Sequence, residues 1–161
     1  MKIAIVSFSN PFVNTSDGGK IDIINRIKNL NDMGIIIDHF SVLKKNEVEC
    51  QSNIVNKNYV INVKNRIRDL FSRYPISVNN RYNHKIGVRL KNGNYDYYIL
   101  ENFNMIKYMN DIPKGAKVAL RVHNIESLSR RQLVKSNYFS IRSFLELLES
   151  FKYKRVEKNC L

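Results

Sequence analysis

Residues 2–43 carry the pattern of a strand, a helix and a second strand, and they decide the class of fold. They read KIAIVSFSNPFVNTSDGGKIDIINRIKNLNDMGIIIDHFSVL. The compact apolar run 2–8 is rich in β-branched residues and predicts a buried parallel strand. The apolar run 34–43 predicts a second strand, and the two strands with the helix between them form a βαβ unit.

The segment between these strands has the start and stop signals of a helix over residues 18–32. Thr15, Ser16 or Asp17 can cap its first turn, because a short polar side chain accepts from the free N–H groups there. Gly34 follows the helix, as a C-terminal glycine does. The predicted inward stripe consists of Ile23, Ile24, Ile27 and Leu30.

The rest of the chain continues the alternation of strands and helices. Residues 44–58 predict a loop, and further strands are predicted at 58–63, 95–102 and 116–124. This alternation predicts an α/β fold: a three-layer, Rossmann-like open parallel sheet with helices on both faces. Three helical stripes are predicted: Ile67, Leu70, Phe71 and Tyr74 before Pro75; Val78, Tyr82, Ile86 and Leu90; and Ile141, Phe144, Leu145, Leu148 and Phe151.

Length and composition indicate one folded domain, 1–161, with anionic partners. The chain has 161 residues and a net charge of +13, which favours nucleic acid, an anionic membrane surface or phosphorylated substrates. Its two cysteines form no metal-binding spacing and suit a reducing compartment. No stretch has the length of a signal sequence or a membrane span, so a cytoplasmic location is expected.

The predicted last helix, 138–159, is still running near the end of the chain. No Gly, Asn or Pro is expected to end this helix as a C-terminal stop signal would. A sixth strand is the expected next element. We therefore expect a chain cut at a domain border, with a second domain absent.

Three polar clusters follow the predicted strands, at residues 7–19, 101–104 and 123–126. In an open parallel sheet, ligands bind beyond the carboxyl ends of the strands. The fold therefore predicts that these clusters converge on one edge and form a site.

Asp17, Gly18 and Gly19 open the first helix, and two interpretations are possible. Free N–H groups at a helix N-terminus favour anions, and glycine lets a ligand approach the backbone closely. The alternative is a flexible turn with Asp17 as a helix cap. The segment is neither a dinucleotide-binding fingerprint nor a phosphate-binding P-loop.

His123 and Glu101 follow the fifth and fourth predicted strands and also have two interpretations each. His123 can bond a sugar hydroxyl or act as an acid or base, or it can pack at the strand end with its ring bonded to backbone. Glu101 can bind acceptor hydroxyls, or it can pair with a nearby Lys or Arg.

Basic residues cluster between 64 and 91 and include Arg66, Arg68 and Arg73. They favour contact with anionic lipid headgroups or with a phosphate backbone. The alternative is a solvated helix face.

The ordered motifs resemble the N-terminal domain of GT-B retaining glycosyltransferases, group 1 or family 4. The resemblance covers essentially the whole chain. It rests on the strand–Pro–Gly-Gly–helix entry within 3–43, on YDYYILEN (95–102), on VALRVHNIES (118–127) and on the helix SFLELLESFKYKRVEKNCL (143–161).

The resemblance implies transfer of a sugar from a nucleotide-sugar to an acceptor hydroxyl with retention, in bacterial surface polysaccharide or glycolipid synthesis. The nucleotide-sugar is then a substrate, and no metal or other cofactor is expected. His123 would be catalytic. The other implied roles are donor phosphate or sugar binding by Gly18, Gly19 and Asn124, acceptor binding by Asp17, Glu101 and Asn102, and membrane contact by Arg66, Arg68 and Arg73.

The family's second domain, which carries the nucleotide pocket, has no counterpart in these residues. We therefore expect the 161-residue chain alone to have little or no activity, and its own C-terminal domain to be a partner. The alternative is a basic nucleic-acid-binding α/β module, although no sequence pattern of a nucleic-acid-binding fold is present.

Overall fold

A computed structural model describes residues 1–13, 17–43, 52–63, 69, 71–136 and 140–160. Its centre is a sheet of five parallel strands. The strands are β1 (Lys2–Ser7), β2 (Ile36–Leu43), β3 (Lys57–Asn62), β4 (Tyr97–Leu100) and β5 (Lys117–Leu120).

The strand order is β3-β2-β1-β4-β5, with β1 in the middle. Ile3 of β1 is in register with Ile37 of β2 on one side and with Tyr97 of β4 on the other. The chain first builds the sheet outward through β2 and β3, then crosses to the opposite side of β1. This is the order of a Rossmann-like open sheet, and the predicted fold class is confirmed.

Five α-helices and one 3₁₀ helix connect or follow the strands within the described residues. The α-helices are α1 (Gly18–Asp32), α2 (Ile76–Asn80), α3 (His84–Asn92), α4 (Glu126–Ser136) and α5 (Ile141–Lys158), and the 3₁₀ helix is Phe103–Asn110.

Alternation along β1 divides the core between the two faces of the sheet. Ile3 and Ile5 point to the face covered by α1, while Ala4 and Val6 point to the face covered by α3 and the 3₁₀ helix. Buried residues therefore lie on both sides, as a doubly covered parallel sheet requires.

Helix α1 begins and ends as the sequence predicts. The Asp17 side chain caps its first turn, and Ile23 and Ile27 are buried. At the other end Gly34 has a φ of +73°, and its N–H donates to the Asn31 carbonyl at 2.8 Å. This glycine adopts the left-handed conformation that ends a helix at low cost and lets β2 start.

The segment between β3 and β4 differs from the prediction. Most of the predicted helix 64–74, including Arg66 and Arg68, lies outside the described residues. Phe71 is 90% exposed, so its assignment to an inward stripe is wrong. Pro75 precedes α2, as the fixed φ of proline allows, and the next stripe is divided between α2 and α3.

The predicted stripe on the last helix faces the opposite way. Ile141, Phe144, Leu148 and Phe151 are exposed, and Leu145 is only half-buried. The helix instead buries Tyr153 and Val156 against α2 and the 3₁₀ helix. The prediction identified an apolar face correctly but placed it in the core, and that placement is wrong.

Candidate functional site

The strand order reverses its direction between β1 and β4, and the carboxyl edge of the sheet has its topological switch point there. Connections leave β1 and β4 toward opposite sides there, and such a point opens a crevice for ligands in α/β sheets. Ser7 ends β1, Glu101 follows β4 and Arg121 follows β5. These three residues lie at the same edge of the parallel sheet, whereas convergence of the predicted clusters 7–19, 101–104 and 123–126 on one site stays a prediction.

The N-terminus of α1 follows β1 and exposes its first peptide group. The Gly19 N–H donates to Asp17 Oδ1 at 2.9 Å, and the N–H groups of Lys20 and Ile21 donate to the Asp17 carbonyl. The Gly18 N–H has no hydrogen-bond partner within the described residues. Asp17 therefore acts as the helix cap, and its role toward an acceptor stays a prediction.

Gly18 and Gly19 differ in what the fold demands of them. A Cβ added to Gly19 would lie 3.3 Å from Asp17 Oδ1, so the cap itself disfavours a side chain there. A Cβ added to Gly18 would have no described atom within 4 Å, and its φ is not positive. The chain's own described contacts therefore give no reason for glycine at position 18.

Glu101 is fully buried and holds two arginines from different elements. Its Oε1 accepts from Arg26 of α1, and its Oε2 accepts from Arg121 at 3.1 Å. Arg121 also donates to Asp22 of α1 at 2.8 Å. The pairing alternative for Glu101 is thus what the structure shows, and its acceptor role stays a prediction.

These contacts form an ionic cluster, here called the Glu101 cluster, that joins α1 to the ends of β4 and β5. Its members are Asp22, Arg26, Glu101 and Arg121. It contains two cations and two carboxylates, so their charges balance. The hydrogen bond from Arg121 is the main cause that lowers the pKa of the Asp22 carboxyl. The same bond raises the pKa of the Arg121 guanidinium. Both groups are therefore held in their charged forms.

A buried polar chain crosses β1, β2 and β3 beside this edge. His39 Nε2 lies 3.0 Å from Ser7 Oγ, and His39 Nδ1 lies 3.0 Å from Asn58 Oδ1 and 3.2 Å from Ser41 Oγ. The Phe12 ring packs edge-on against the imidazole. Burial lowers the pKa of His39 to about 4, so the ring is neutral at pH 7. Sequence reasoning missed this residue, although a histidine inside the apolar run of β2 is a usable signal.

The turn after β1 contains a buried hydroxyl for which the described part of the chain offers no partner. Ser7 Oγ donates to the Ser9 carbonyl at 2.6 Å, and the Phe12 N–H donates to Asn10 Oδ1 at 3.1 Å. Ser9 Oγ is buried and has no hydrogen-bond partner among the described residues. The turn is otherwise held closed by its own polar groups.

The remaining predicted site residues lie in different environments. Asn102 caps the 3₁₀ helix, since its Oδ1 accepts from the Asn104 N–H at 2.8 Å. His123 and Asn124 are exposed just beyond Arg121, and neither makes a hydrogen bond or ion pair within the described residues. The alternative of a histidine packed at the strand end is therefore contradicted for His123.

Arg73, the one described member of the predicted anionic contact, lies away from the carboxyl edge. It is exposed and lines a cavity of about 110 Å³ together with Arg155, Asn110 and the apolar side chains of Ile106 and Val156. No residue of the Glu101 cluster lines this cavity.

Two further findings concern the described part of the chain. No helix in it is long and apolar enough to cross a membrane. No group of three or more His, Cys, Asp or Glu side chains there has the arrangement of a metal site.

Neither a protein-family model nor a curated protein matches this sequence.

Proposed function

We propose that this chain is the N-terminal, acceptor-side domain of a GT-B glycosyltransferase that moves a sugar from a nucleotide-sugar to a hydroxyl with retention. The observation that carries the proposal is Gly18. It opens α1 beside the switch point of the sheet. Among the described residues its N–H has no hydrogen-bond partner, and no atom lies within 4 Å of the position a Cβ would take. A phosphate or sugar lying against the backbone accounts for glycine where the described fold does not.

The electrostatics of the edge support a polar sugar substrate. At the α1 N-terminus the Asp17 carboxylate already caps the Gly19 N–H, so the Gly18 N–H is the group proposed to donate to a phosphate or sugar oxygen of the donor. The Glu101 cluster is internally neutral, so Arg26 and Arg121 can donate to sugar hydroxyls from the nitrogens that their carboxylate partners leave free. In this proposal Glu101 acts on the acceptor through the two arginines that it orients.

His123 is the proposed contact to the donor sugar. Its exposure beyond β5 leaves both ring nitrogens available to a ligand, and Arg121 anchors the chain just before it. Asn124 stands next to it as a second polar contact. The nucleotide itself would bind a second domain, as the resemblance implies.

The test uses the complete product of the gene in a screen for nucleotide-sugar hydrolysis and transfer. Gly18→Ala should leave the fold intact and stabilise it by about 0.5 kcal/mol, because alanine favours a helix more than glycine does. It should lower kcat/KM by about tenfold or more, because a methyl group displaces the ligand from the backbone. Asn25→Ala, an exposed change on the same helix, is the matched control and should leave kcat/KM unchanged.

Two results would overturn this proposal. One is wild-type turnover in both Gly18→Ala and His123→Ala. The other is a gene that ends at Leu161 without a second α/β domain.

The net charge of +13 supports a second candidate, a nucleic-acid-binding module. It requires a salt-dependent gel shift of the 161-residue chain with duplex or single-stranded probes. Absence of a shift at physiological ionic strength removes this candidate.

A further inference from the structure

His39 lies on the face of the sheet that α1 covers, close to the carboxyl edge. Its register partners are Ile5 of β1 and Asn58 of β3, and Ser41, two residues further along β2, is in register with Ser7. Side chains in register point to the same face of a parallel sheet, and Ile5 points to the α1 face. One histidine and two serines, all fully buried, therefore form a polar patch between the sheet and α1.

The contacts of this patch have the order of a nucleophile, a base and an orienting amide. His39 Nε2 lies 3.0 Å from Ser7 Oγ, and His39 Nδ1 lies 3.0 Å from Asn58 Oδ1. The Ser7 hydroxyl is fully buried, however, and it donates its single proton to the Ser9 carbonyl at 2.6 Å. A buried hydroxyl that donates to the backbone is not accessible for attack on a substrate, so these residues act on the chain itself.

The proton positions give these hydrogen bonds a direction. Because the Ser7 proton is used toward the Ser9 carbonyl, Ser7 Oγ accepts from His39 Nε2–H. Ser41 Oγ, at 3.2 Å from His39 Nδ1, can donate to the second ring nitrogen. The hydrogen bonds therefore run from β2 through β1 to the backbone of the turn after β1, residues 8–13.

The turn after β1 connects this patch to the first turn of α1. Phe8 follows Ser7 directly, and its Cζ lies 4.0 Å from the position that a Cβ on Gly19 would take. The Phe12 ring packs edge-on against the imidazole, with 5.3 Å between the ring centroids. His39 therefore restrains the turn at two points, through Ser7 and through Phe12, and the turn contacts the residues that open α1.

We propose that His39 is a positioning residue: through Ser7 and the turn after β1 it sets the start of α1, and with it the direction of the Gly18 N–H. Its part in sugar transfer rests on the proposed function, in which that N–H donates to the nucleotide-sugar. The coupling between His39 and α1 is a property of the 161-residue chain and does not depend on any activity. A histidine that only stabilised the sheet would leave the position of α1 unchanged when its contact to Ser7 is lost.

Ser7 and Ser41 form a matched pair for the experiment. Both hydroxyls are buried and both contact the His39 ring, but only that of Ser7 leads on to the turn. Ser7→Ala and Ser41→Ala are compared in the 161-residue chain by amide NMR and hydrogen exchange. The probes are the amides of residues 18–21, which open α1, and the reference is the amides of residues 33–35 at its other end.

Ser7→Ala should shift the amide signals of residues 18–21. It should also speed the exchange of the Lys20 and Ile21 N–H groups by about fivefold or more relative to the other end of the helix, because the turn loses a hydrogen bond that holds it. Ser41→Ala should leave the signals in place and the exchange ratio within about twofold of wild type.

Two substitutions of His39 separate its contact to Ser7 from its bulk. Gln places its amide N–H near the position of Nε2, so His39→Gln should keep the contact and the wild-type signals. Asn reaches only to about the position of Nδ1, so His39→Asn should shift the amides of residues 18–21 as Ser7→Ala does. If Ser7→Ala does not fold, this pair decides the question.

The second arm of the experiment uses the complete product of the gene. Ser7→Ala and His39→Asn should lower kcat/KM for the nucleotide-sugar by about tenfold, while Ser41→Ala and His39→Gln stay within about twofold of wild type. A complete protein without transferase activity would remove the proposed function, and the amide comparison would still decide the role of His39.

The proposal fails on any of three results. The first is an equal shift of the amides of residues 18–21 in Ser7→Ala and Ser41→Ala. The second is a His39→Gln variant that disturbs these amides as much as His39→Asn does. The third is wild-type turnover in a Ser7→Ala enzyme whose amides have shifted, which would remove His39 from the transfer reaction.

Discussion

Acidification from pH 7 to pH 5 should destabilise this protein through His39. In the unfolded chain its imidazole ionises at the ordinary value of about 6.5. In the folded chain, burial lowers its pKa to about 4, and the contact with Asn58 Oδ1 offsets only part of that effect. Protonation therefore favours the unfolded state. The stability that neutral His39 contributes is complete above pH 6.5 and is lost as the pH falls toward 4.

The magnitude follows from the two pKa values. One pKa unit corresponds to about 1.4 kcal/mol, so the full loss is about 3 kcal/mol, of which about 2 kcal/mol is lost by pH 5. Asp111 and Glu126 act with the opposite sign, because burial raises their pKa values and their protonation favours the folded state. A measurement on the wild type alone would mix these contributions.

The assay is urea unfolding at pH 7, 6 and 5 on the wild type and on His39→Asn, which keeps a polar side chain but does not titrate. The two acids are present in both proteins, so their contributions cancel in the difference. The free energy of unfolding of the wild type should fall by about 2 kcal/mol more than that of the variant between pH 7 and pH 5. Equal losses in the two proteins would refute the reasoning.

Two further predictions concern the carboxyl edge. Glu101→Gln should lower the free energy of unfolding by about 3 kcal/mol, because it leaves Arg26 and Arg121 beside a neutral buried group. Asp22→Asn, at the exposed end of the same cluster, should lower it by under about 1 kcal/mol. Equal losses of the two variants in urea unfolding would contradict the burial argument. Asp17→Ala should lower the free energy of unfolding by about 1 kcal/mol, and Asp17→Asn should restore it because Asn also caps helices. A transfer rate that falls in Asp17→Asn while stability is kept would assign the charge of Asp17 to acceptor binding.

The first half of the sheet could be predicted because its signals are local. The apolar run of β1, the polar cap Asp17 and the left-handed Gly34 each act on their immediate neighbours. Their order therefore specifies a βαβ unit without information about the rest of the fold.

The segments flanking β4 were harder because short helices have little periodicity. Ile76–Asn80 has five residues, fewer than two turns, so a stripe there cannot be separated from the one in α3. The 3₁₀ helix Phe103–Asn110 was missed, although Asn102 as its cap and the apolar residues Phe103 and Ile106 three positions apart are usable signals.

The partners of Glu101 could not be named from sequence. Arg26 is 75 residues away and Arg121 is 20 residues away, and only the parallel register of β1, β4 and β5 brings all three side chains together. The preference for pairing over a free carboxylate was predictable, because a carboxylate that is fully buried needs a cation.

Helix α5 explains why an amphipathic pattern alone does not assign the inside of a helix. The pattern has two faces, one carrying Phe144 and Phe151 and the other carrying Tyr153. Hydrophobic burial alone favours packing the first face, but that orientation would leave the N–H groups of Ile76 and Ser127 without Glu149 and Glu157. A hydrogen bond left unmade at a buried donor such as the Ser127 N–H costs about 1–3 kcal/mol. Turning the helix over would also expose Tyr153 and Val156, which are now buried. Tyr153 adds a hydrogen bond to Asn104 at 2.6 Å on the same side. The helix therefore turns toward its polar partners, and the apolar stripe of Ile141, Phe144, Leu148 and Phe151 remains at the surface.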